Sequence, residues 1–393
     1  MSEWKEYTIG EICSRFSSGK SIKASQISAE GLYPVYGGNG LRGFTDTFNF
    51  DGECSIIGRQ GAYCGNVRYF KGKAFMTEHA IVAVVNENHN NGYVSNLLSM
   101  MNLAQYQGQS AQPGLSVSTL SKITIKLPDL ATQEQCFNVL NLIDQKIQTN
   151  NQINQELEAM AKTLYDYWFV QFDFPDQNGK PYKSSGGKMV YHPGLKREIP
   201  EGWGVEKIED IAQTGSGGTP KSTNSSYYTD GEVPWINSGE LSQTVITSTS
   251  NFITEEGLRN SNAKLFPSGT ILVAMYGATA GKVSFLSFKA STNQAICAIM
   301  LSDVRMRYYL KNVIEDLYQY LVNLSTGSAR DNLSQDMIKN IKVVIPSNEI
   351  LDRYYHFSNN IIKELTKKQQ ENEQLIQLRD WLLPMLMNRQ VKV

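Results

Sequence analysis

Apolar residues recur with heptad-like spacing in two stretches of the chain, one central and one C-terminal. This pattern predicts two long helices, each with a single apolar seam. The polar Asn154 and Asn372 lie on the seams, where a polar residue fixes helix register at some cost in stability. We therefore expect the helices to pack on each other; packing of each helix on its own globular domain is the alternative. The predicted helix–helix or partner interface comprises Ile143, Ile147, Asn154, Leu157, Leu164, Trp168, Ile361, Leu365, Asn372, Leu375, Leu382 and Leu386.

The start of the central helix has its own signal. Thr132 and Gln135, shortly after Pro128, have the spacing of a capping box. A helix of about 36 residues would make a rod on the order of 54 Å, at about 1.5 Å per residue.

Short strands and glycine-rich turns dominate the rest of the chain, which contains itself twice. WKEYTIGEI (4–12) resembles WGVEKIEDI (203–211), and YPVYGGNG (33–40) resembles VPWINSGE (233–240). SIIGRQGAYCGNV (55–67) resembles ILVAMYGATAGKV (271–283), and SAQPGLSVSTLSKITIKLP (110–128) resembles SARDNLSQDMIKNIKVVIP (328–346). The shift grows from 199 to 218 residues, so the second copy has longer loops early on. Four matches in one order indicate an internal duplication.

The repeats define the predicted architecture, an α+β fold with two tandem domains that have irregular β-rich cores. The two long helices would form an antiparallel coiled coil, which gives a circular, pseudo-twofold arrangement. The segment between the repeats is rich in Pro, Gly, Ser and Lys, as linkers are. The predicted boundaries are 1–130 for the first domain, 131–171 for the central helix, 172–203 for the linker, 204–346 for the second domain and 347–393 for the C-terminal helix.

Composition excludes several classes of protein. With 41% apolar residues the chain is not a disordered one, and no apolar run reaches about 18 residues, the length that predicts a membrane span. The N-terminus lacks the basic-then-apolar layout of a signal peptide. The five cysteines form an odd set without a C-x-x-C pair, so we expect reduced thiols, a cytoplasmic location, and neither a disulfide framework nor a zinc site.

Charge is unevenly distributed along the chain. The formal net charge is −1, which is not the basic signature of a nucleic-acid-binding protein. Residues 1–130 contain 11 Lys and Arg against 10 Asp and Glu, whereas residues 131–175 contain 2 against 6. Part of the acidity therefore lies in the central helix, away from the glycine- and aromatic-rich regions.

Catalytic and cofactor motifs are weak or missing in the sequence. Gly38, Gly40 and Gly43 in GGNGLRG fit G-x-G-x-x-G, but no helical period follows them, and the second copy has NSGEL (237–241) instead. We expect an exposed turn there and no cofactor. P-loop, G-x-S-x-G and amino-methyltransferase motifs are absent. Glu78–His79 is interpreted as an ordinary strand or turn pair. These features predict a binding protein rather than an enzyme.

Two further interpretations remain open at this stage. The chain could be a protein-interaction scaffold without a DNA role, which the net charge and the acidic central helix would suit. It could also be a glycan-active enzyme that uses the paired carboxylates Asp51 and Glu53. The second copy has PSGT (267–270) where the first has DGEC (51–54), which disfavours the enzyme.

Longer segments of the chain resemble one family. GSGGTPKSTNSSYYTDGEVPWINSGEL (215–241) is similar to target recognition domains in specificity subunits of Type I restriction–modification enzymes. So are YPVYGGNGLRGF, GRQGAYCGNV and GQSAQPGLS in the first copy, and GATAGKVSF and STNQAICAI in the second. The linker's FDFPDQNGKPYK, leading to IPEGW, is also typical. The resemblance covers nearly the whole chain.

This resemblance implies a division of labour. Each globular domain would recognise one half of a bipartite double-stranded DNA target, and the helices would act as a spacer. Modification (adenine methyltransferase) subunits, two in number, would dock on the helices and recruit a restriction (endonuclease/translocase) subunit. The chain itself would catalyse nothing. The resemblance implies no particular DNA sequence or spacer length.

Recognition of DNA requires phosphate contacts and base contacts, which use different side chains. Cations in or near the glycine-rich loops are the candidate phosphate contacts, with a solvated surface charge as the alternative for each. They are Lys20, Lys23, Arg42, Arg59, Lys221, Lys282 and Arg330. Amides, arginines and hydroxyls can pair with base edges. The candidate base contacts are Asn39, Arg42, Arg59, Gln60, Gln112, Asn224, Asn237, Ser238, Asn293 and Gln294. Tyr36, Tyr63, Tyr227, Tyr228 and Tyr276 could pack on sugars or thymine methyl groups, although core packing is favoured for Tyr36 and Trp235.

Overall fold

A computed structural model describes residues 4–108, 114–276, 279–317, 333–388 and 390–391. The helices are α1 (Ile9–Ile12), α2 (Asn91–Met100), α3 (Val117–Leu120), α4 (Leu130–Tyr165), α5 (Ile208–Ile211), α6 (Glu255–Arg259), α7 (Arg307–Asp316), α8 (Gln335–Lys339) and α9 (Asn348–Met387). A π-helical turn, Asp166–Val170, continues α4. Among the described residues, no helix has the length and apolar character needed to span a membrane.

The strands are short and occur in both halves of the sequence. They are β1 (Lys5–Thr8), β2 (Cys13–Ser18), β3 (Tyr33–Gly37), β4 (Gly40–Thr45), β5 (Phe50–Gly58), β6 (Val67–Met76), β7 (Ala80–Val85), β8 (Thr124–Leu127), β9 (Met189–His192), β10 (Arg197–Pro200), β11 (Gly204–Lys207), β12 (Ala212–Ser216), β13 (Val233–Ile236), β14 (Val245–Ile246), β15 (Phe252–Ile253), β16 (Leu265–Phe266), β17 (Ile271–Ala274), β18 (Val283–Leu286), β19 (Ala290–Thr292), β20 (Ile296–Leu301) and β21 (Lys342–Ile345).

The chain divides into two compact units. The first unit consists of Met1–Gln148 and Gln374–Val393, and the second of Thr149–Glu373. The unit boundary therefore falls inside both long helices. Each unit contains one globular repeat, the beginning of the long helix that follows this repeat, and the end of the other long helix.

The first unit is built on a six-stranded sheet with the order β2-β7-β5-β6-β3-β4. Side chains alternate between the two faces of a strand, and β7 is apolar at every position. Its Ile81, Ala83 and Val85 pack in one apolar cluster with α2, whereas Ala80 and Val82 pack in another. Both faces of the sheet are therefore buried at β7, which lies between β2 and β5. This explains why the β7 sequence, AIVAVV, is apolar throughout instead of alternating with polar residues.

The second unit repeats this plan with additional strands. Its main sheet has the order β12-β20-β17-β18-β14, and a second sheet has the order β15-β13-β19-β16. Along β17, Ile271 and Val273 pack in one cluster, and Leu272 and Ala274 in another. The sheets and the helices together give a mixed α and β fold in each unit.

Strand registers confirm the internal duplication. Ile57 pairs with Ile81 in the first unit, and Val273 pairs with Cys297, 216 residues further along, in the second. The parallel pair Val35–Phe75 has its counterpart in Trp235–Ser291. The longer early loops of the second copy are also confirmed. β3 pairs antiparallel with β4, the next strand, whereas β13 pairs with β15 after an inserted segment that contains β14.

The two long helices contact each other within each unit. In the first unit, Leu386 and Met387 of α9 pack in the cluster that contains Cys136 and Leu140 of α4, and Arg379 forms a 3.1 Å ion pair with Asp144. In the second unit, Trp168 packs against Tyr354 with ring centroids 5.9 Å apart. There Asn150 Nδ2 donates to Asn372 Oδ1 at 2.9 Å. The end of each long helix thus helps to build the core of the other repeat.

The predicted seam residues differ in burial. Ile143, Trp168, Leu365, Asn372 and Leu386 are buried. The half-buried members are Ile147, Asn154, Leu157, Leu164, Ile361, Leu375 and Leu382. Asn372 hydrogen-bonds Asn150 and Asn151, two residues that the heptad pattern did not select.

Two local predictions need correction or detail. The capping box predicted at Thr132 and Gln135 is wrong, because Asp129 Oδ1 accepts from the Thr132 N–H at 2.9 Å and α4 already begins at Leu130. A residue inside the first turn cannot serve as the cap. The segment 172–203, predicted as a linker, contains the antiparallel pair β9–β10, and its Phe172 and Ile199 are buried in the second unit. It connects the repeats as a packed segment.

Candidate nucleic-acid interface

Three loop segments meet at one corner of the first unit. They are residues 36–40 at the end of β3 with the turn to β4, residues 59–60 after β5, and residues 77–79 between β6 and β7. The Thr77 N–H donates to the Tyr36 carbonyl at 2.9 Å, and the Arg59 N–H donates to the His79 carbonyl at 3.0 Å. We call this arrangement the first corner. The expected turn at GGNGLRG is confirmed, since it joins the antiparallel strands β3 and β4.

The second unit has an equivalent second corner, which consists of residues 236–240, 275–276 and 293–295. The Asn293 N–H donates to the Ile236 carbonyl at 2.9 Å, and the Met275 N–H donates to the Ala295 carbonyl at 2.8 Å. These bonds join the residues that the repeat aligns with Thr77–Tyr36 and Arg59–His79. The same backbone scaffold therefore carries two different sets of side chains.

A glycine lets a further segment approach each corner. A Cβ on Gly19 would lie 2.1 Å from the Met76 carbonyl oxygen, and one on Gly217 would lie 2.0 Å from that of Thr292. No side chain fits at such distances, so glycine is required at both positions. The close approach brings Lys20 and Thr219, which follow shortly after these glycines, to the edges of their corners.

Polar side chains at the first corner form a small network. Gln60 Oε1 lies 3.2 Å from His79 Nδ1, and His79 Nε2 lies 3.5 Å from Glu78 Oε1. Arg59 is half-buried and its Nη1 lies 3.5 Å from Ser18 Oγ. Asn39 is exposed at the tip of the turn.

At the second corner, internal hydrogen bonds engage the side-chain amides that are candidates for contact with DNA. Both polar atoms of the Asn293 amide have internal partners, because its Nδ2 donates to Asn237 Oδ1 at 3.3 Å and its Oδ1 accepts from the Ala295 N–H at 3.1 Å. Gln294 is exposed, and its Oε1 accepts from the Thr219 hydroxyl. The Ser238 carbonyl accepts from the Thr279 hydroxyl at 2.8 Å. Asn293 therefore has a structural role that its sequence context did not reveal.

Several candidate cations are exposed and form no ion pair with any described residue. Beside the first corner these are Lys20 and Arg42, and Lys23 lies nearby in sequence. Lys221 and Lys282 are comparable in the second unit. Other lysines of the same domains are paired, such as Lys71 with Glu53 at 2.9 Å. Unpaired cations on loops can neutralise phosphates without first losing an internal partner.

The candidate tyrosines are in different environments. The Tyr36 ring packs edge-on against Phe70 with centroids 5.2 Å apart. Burial raises the pKa of the Tyr36 and Tyr276 hydroxyls, so both stay protonated at neutral pH and can donate hydrogen bonds. Tyr63 is 49% exposed in the loop after β5. Trp235 is buried, and its Nε1 donates to the Gly218 carbonyl at 3.0 Å, which places it in the core.

Two other candidates, Asn224 and Tyr228, have local structural partners. Asn224 Oδ1 accepts from the Ser226 N–H at 3.2 Å, as a cap of the turn that contains Tyr227. The Tyr228 hydroxyl donates to the Pro220 carbonyl. Gln112 and Arg330 lie outside the described residues.

Three residues in or beside the first corner are not among the DNA contacts that the sequence predicts. Arg68 lies beside the turn, since a Cβ on Gly40 would be 3.0 Å from its Cζ. Glu78 and His79 were interpreted only as a strand or turn pair. A signal for Glu78 existed, because the 216-residue shift aligns it with the selected Gln294.

Comparison with known proteins identifies the family. The sequence matches the Type I restriction modification DNA specificity domain over residues 1–159 and 200–375. It is 27% identical over 329 residues to the Type I restriction enzyme HindI specificity subunit of Haemophilus influenzae, and the alignment covers 71% of each protein. It is 26% identical over 294 residues to the MjaIX specificity subunit of Methanocaldococcus jannaschii, covering 74% of this chain and 66% of that protein.

The fold agrees with this assignment. A crystal structure of the Type-I restriction-modification system S subunit from M. genitalium superposes with a TM-score of 0.67 at 16% identity, over 98% of this chain and 96% of that one. At this identity the likeness concerns the fold alone. The family match spans both repeats and most of both long helices. The chain therefore belongs to the Type I restriction–modification DNA specificity family, as a non-catalytic specificity subunit.

Proposed function

We propose that the chain recognises a bipartite DNA target, with one globular domain per half-site, and directs adenine methylation by partner subunits. The observation that carries this proposal is the pair of corners with equivalent backbone bonds and different side chains. Duplicated domains that kept identical side chains would select two identical half-sites. Different side chains on the same scaffold suit a target whose two halves differ.

The proposed DNA contacts are the exposed or half-buried polar residues of the corners and their neighbouring loops. Arg42, Arg59 and Gln60 are the main ones in the first domain, with Lys20 and Lys23 on phosphates. Asn237, Gln294 and Lys282 are the main ones in the second. Asn293 and Asn224, whose amides have internal partners, are assigned to positioning rather than to contact with DNA.

The long helices are proposed to form an antiparallel coiled coil that sets the half-site spacing. The ion pair Arg379–Asp144 in the first unit and the Asn150–Asn372 hydrogen bond in the second support it. A rod on the order of 54 Å suits half-sites about one helical turn, or roughly 34–36 Å, apart. We further propose that two modification subunits dock on these helices, which expose Met160, Phe357 and Trp381, and that a restriction subunit joins through them.

Tight DNA binding is expected only in the complex. The chain has a net charge of −1, and phosphate neutralisation supplies much of the affinity of proteins for DNA. The isolated chain should therefore bind its target weakly at physiological salt. Nanomolar specific binding by the isolated chain would contradict this expectation.

The test is co-expression with a modification (adenine methyltransferase) subunit, followed by mapping of methylated adenines across the host genome. A bipartite methylated motif that appears only when this chain is present is the expected result. Methylation that does not depend on the chain would favour the second candidate function, a protein-interaction scaffold. The net charge and the exposed apolar residues of the helices are the observations that suit such a scaffold.

A further inference from the structure

We propose that Glu78 and Gln294, equivalent residues of the two corners, select bases of opposite hydrogen-bonding polarity in the two half-sites. This inference rests on the proposed function. It assigns a hydrogen-bond donor on a base, such as the N4 amino group of cytosine, to Glu78. It assigns a base acceptor, such as O6 or N7 of guanine, to Gln294.

The equivalence of the two residues follows from the bonds on either side of them. Glu78 lies between Thr77, whose N–H bonds the end of β3, and His79, whose carbonyl accepts from Arg59. Gln294 lies between Asn293 and Ala295, which make the matching bonds to Ile236 and Met275. Each side chain therefore leaves the backbone at the same point of its corner.

Glu78 presents only acceptors to the solvent. An ionised carboxylate has no proton to donate. Its Oε2 is buried and has no hydrogen-bond partner among the described residues, whereas Oε1 lies 3.5 Å from His79 Nε2. The side chain is 40% exposed, so Oε1 is the atom available to DNA. A carboxylate in the major groove accepts from an exocyclic amino group, and that of cytosine is the usual partner of Glu and Asp.

Gln294 presents a donor. Its Oε1 already accepts from the Thr219 hydroxyl, whereas the Nε2 amino group has no hydrogen-bond partner among the described residues. A glutamine that recognises adenine uses its carbonyl and its amino group together. Because the Thr219 hydroxyl occupies one of the two lone pairs of the carbonyl oxygen and fixes its direction, this two-bond contact is disfavoured, and the amino group suits an acceptor on the base. Thr219 is therefore a positioning residue for Gln294.

Isosteric exchanges test the proposal in the complex with the modification subunit. Glu78→Gln should change the preferred base at one position of one half-site, and Gln294→Glu at one position of the other. Each should alter the base preference by about tenfold or more, the discrimination expected from a base-edge hydrogen-bond contact. Thr219→Val should free the Gln294 carbonyl and add adenine to the bases accepted at the Gln294 position. The readout is the methylated motif in the genome, together with selection from a pool of randomised duplexes by the purified complex.

Control variants separate base contact from charge. Glu53→Gln removes one negative charge at the far end of β5, and Gln213→Glu adds one at the start of β12. Both should leave the motif unchanged. A bipartite wild-type motif that persists unaltered in Glu78→Gln and Gln294→Glu would overturn this inference but leave the proposed function standing. Absence of any bipartite motif with the wild-type chain would overturn both.

Discussion

Arg59 and Met275 occupy the same backbone position in the two units but have different surroundings. Each N–H donates to the equivalent carbonyl, of His79 in one unit and Ala295 in the other. Arg59 is half-buried and faces Ser18, whereas Met275 is 6% exposed and belongs to an apolar cluster. The fold thus depends on the backbone bonds at this position and tolerates either a polar or an apolar side chain.

The two units also differ in the length of the connection that follows the first strand of each corner. In the first unit a two-residue turn joins β3 to β4, and Pro34 pairs with Phe44. In the second unit Pro234 pairs with Phe252, and the longer connection between them contains β14, which extends the main sheet beside β18. Insertions are tolerated in surface connections. The two domains therefore keep one core and vary at the edge where DNA contact is proposed.

The largest expected effect comes from substitutions at the ends of the two long helices, because each end packs in the core of the other repeat. Trp168→Ala should cost the second unit about 3–5 kcal/mol, and Leu386→Ala should cost the first unit about 2–5 kcal/mol. Trp168 is 3% exposed and packs on Phe169 and Tyr354, and Leu386 is also 3% exposed. Each substitution should lower the stability of the unit that contains the residue, although the Trp168 substitution lies in the helix of the first repeat.

Buried thiols can report on each unit separately. Burial raises the pKa of Cys54 and of Cys297 to about 12, so neither thiol reacts readily in the folded protein. Alkylation in increasing urea, followed by peptide mass spectrometry, should show Cys297 reacting earlier in Trp168→Ala and Cys54 earlier in Leu386→Ala. Trp381→Ala, at a 57% exposed position, is the control. Equal shifts of both thiols in both variants would refute unit-specific stabilisation.

The next comparison separates stability from DNA binding at one backbone position. Met275→Ala should cost about 2–5 kcal/mol of stability, as deletions of buried methionine side chains do. Arg59→Ala should leave stability nearly unchanged and weaken specific DNA binding by about 1–3 kcal/mol if Arg59 contacts guanine. Thermal unfolding of the chain and duplex binding by the complex are the two measurements. Equal affinity of Arg59→Ala and wild type for a specific duplex would rule out the Arg59 contact.

Much of the fold could be predicted from the sequence because the information is local or repeated. The heptad-like spacing predicted the long helices, and self-similarity predicted two domains. The exchange of helix ends was harder to foresee, because the contact of Trp168 with Tyr354 and the apolar cluster that contains both Cys136 and Leu386 join residues far apart in sequence. The sequence did not predict the cap at Asp129, because Thr132, three residues later, has the capping-box spacing to Gln135.

The candidate site was predictable to a smaller extent. The glycine-rich loops indicated the segments around Arg59 and Gln294, and the structure shows that these segments lie at equivalent corners. The hydrogen bond between Asn237 and Asn293 spans 56 residues and has no sequence signature, so Asn293 could not be distinguished from an available amide. Which side chains keep unused hydrogen-bonding groups depends on such long-range partners.

The two glycines beside the corners should behave alike. Gly19→Ala and Gly217→Ala should each cost about 1–3 kcal/mol, since a Cβ would force the segment that follows the strand away from a carbonyl oxygen. Similar losses in thermal stability would show that the two corners have the same backbone packing. Gly239→Ala is the control, because a Cβ there meets nothing within 4 Å. A loss at only one of the two positions would contradict the equivalence.

The smallest expected effect distinguishes the starts of the two long helices. The Asp129 carbonyl accepts from the Gln133 N–H at 3.1 Å, and that of Ser347 accepts from the Leu351 N–H at 3.0 Å. Of these two residues at the helix starts, only Asp129 has a side chain that ionises in the acidic pH range. Its hydrogen bonds with Thr132 lower the pKa of the carboxyl group, so the ionised form is the one that stabilises the helix. The contribution is complete above the pKa of the unfolded chain, about 3.9, and is lost as the pH falls through the lower folded value.

Asp129→Asn isolates this contribution, because asparagine is also a good cap but cannot ionise. Wild type should have a slightly higher Tm than the variant at pH 7, through the favourable charge at a helix N-terminus. The difference should shrink as the pH falls through the lowered folded pKa, and it should vanish at an acidic pH at which the wild-type carboxyl is protonated as well. Other carboxyls with lowered pKa, such as Asp173 and Asp303, titrate in both proteins and cancel in the difference. Ser347→Ala should instead change the Tm equally at both pH values, so a pH-independent difference for Asp129→Asn would refute the distinction between the two helix starts.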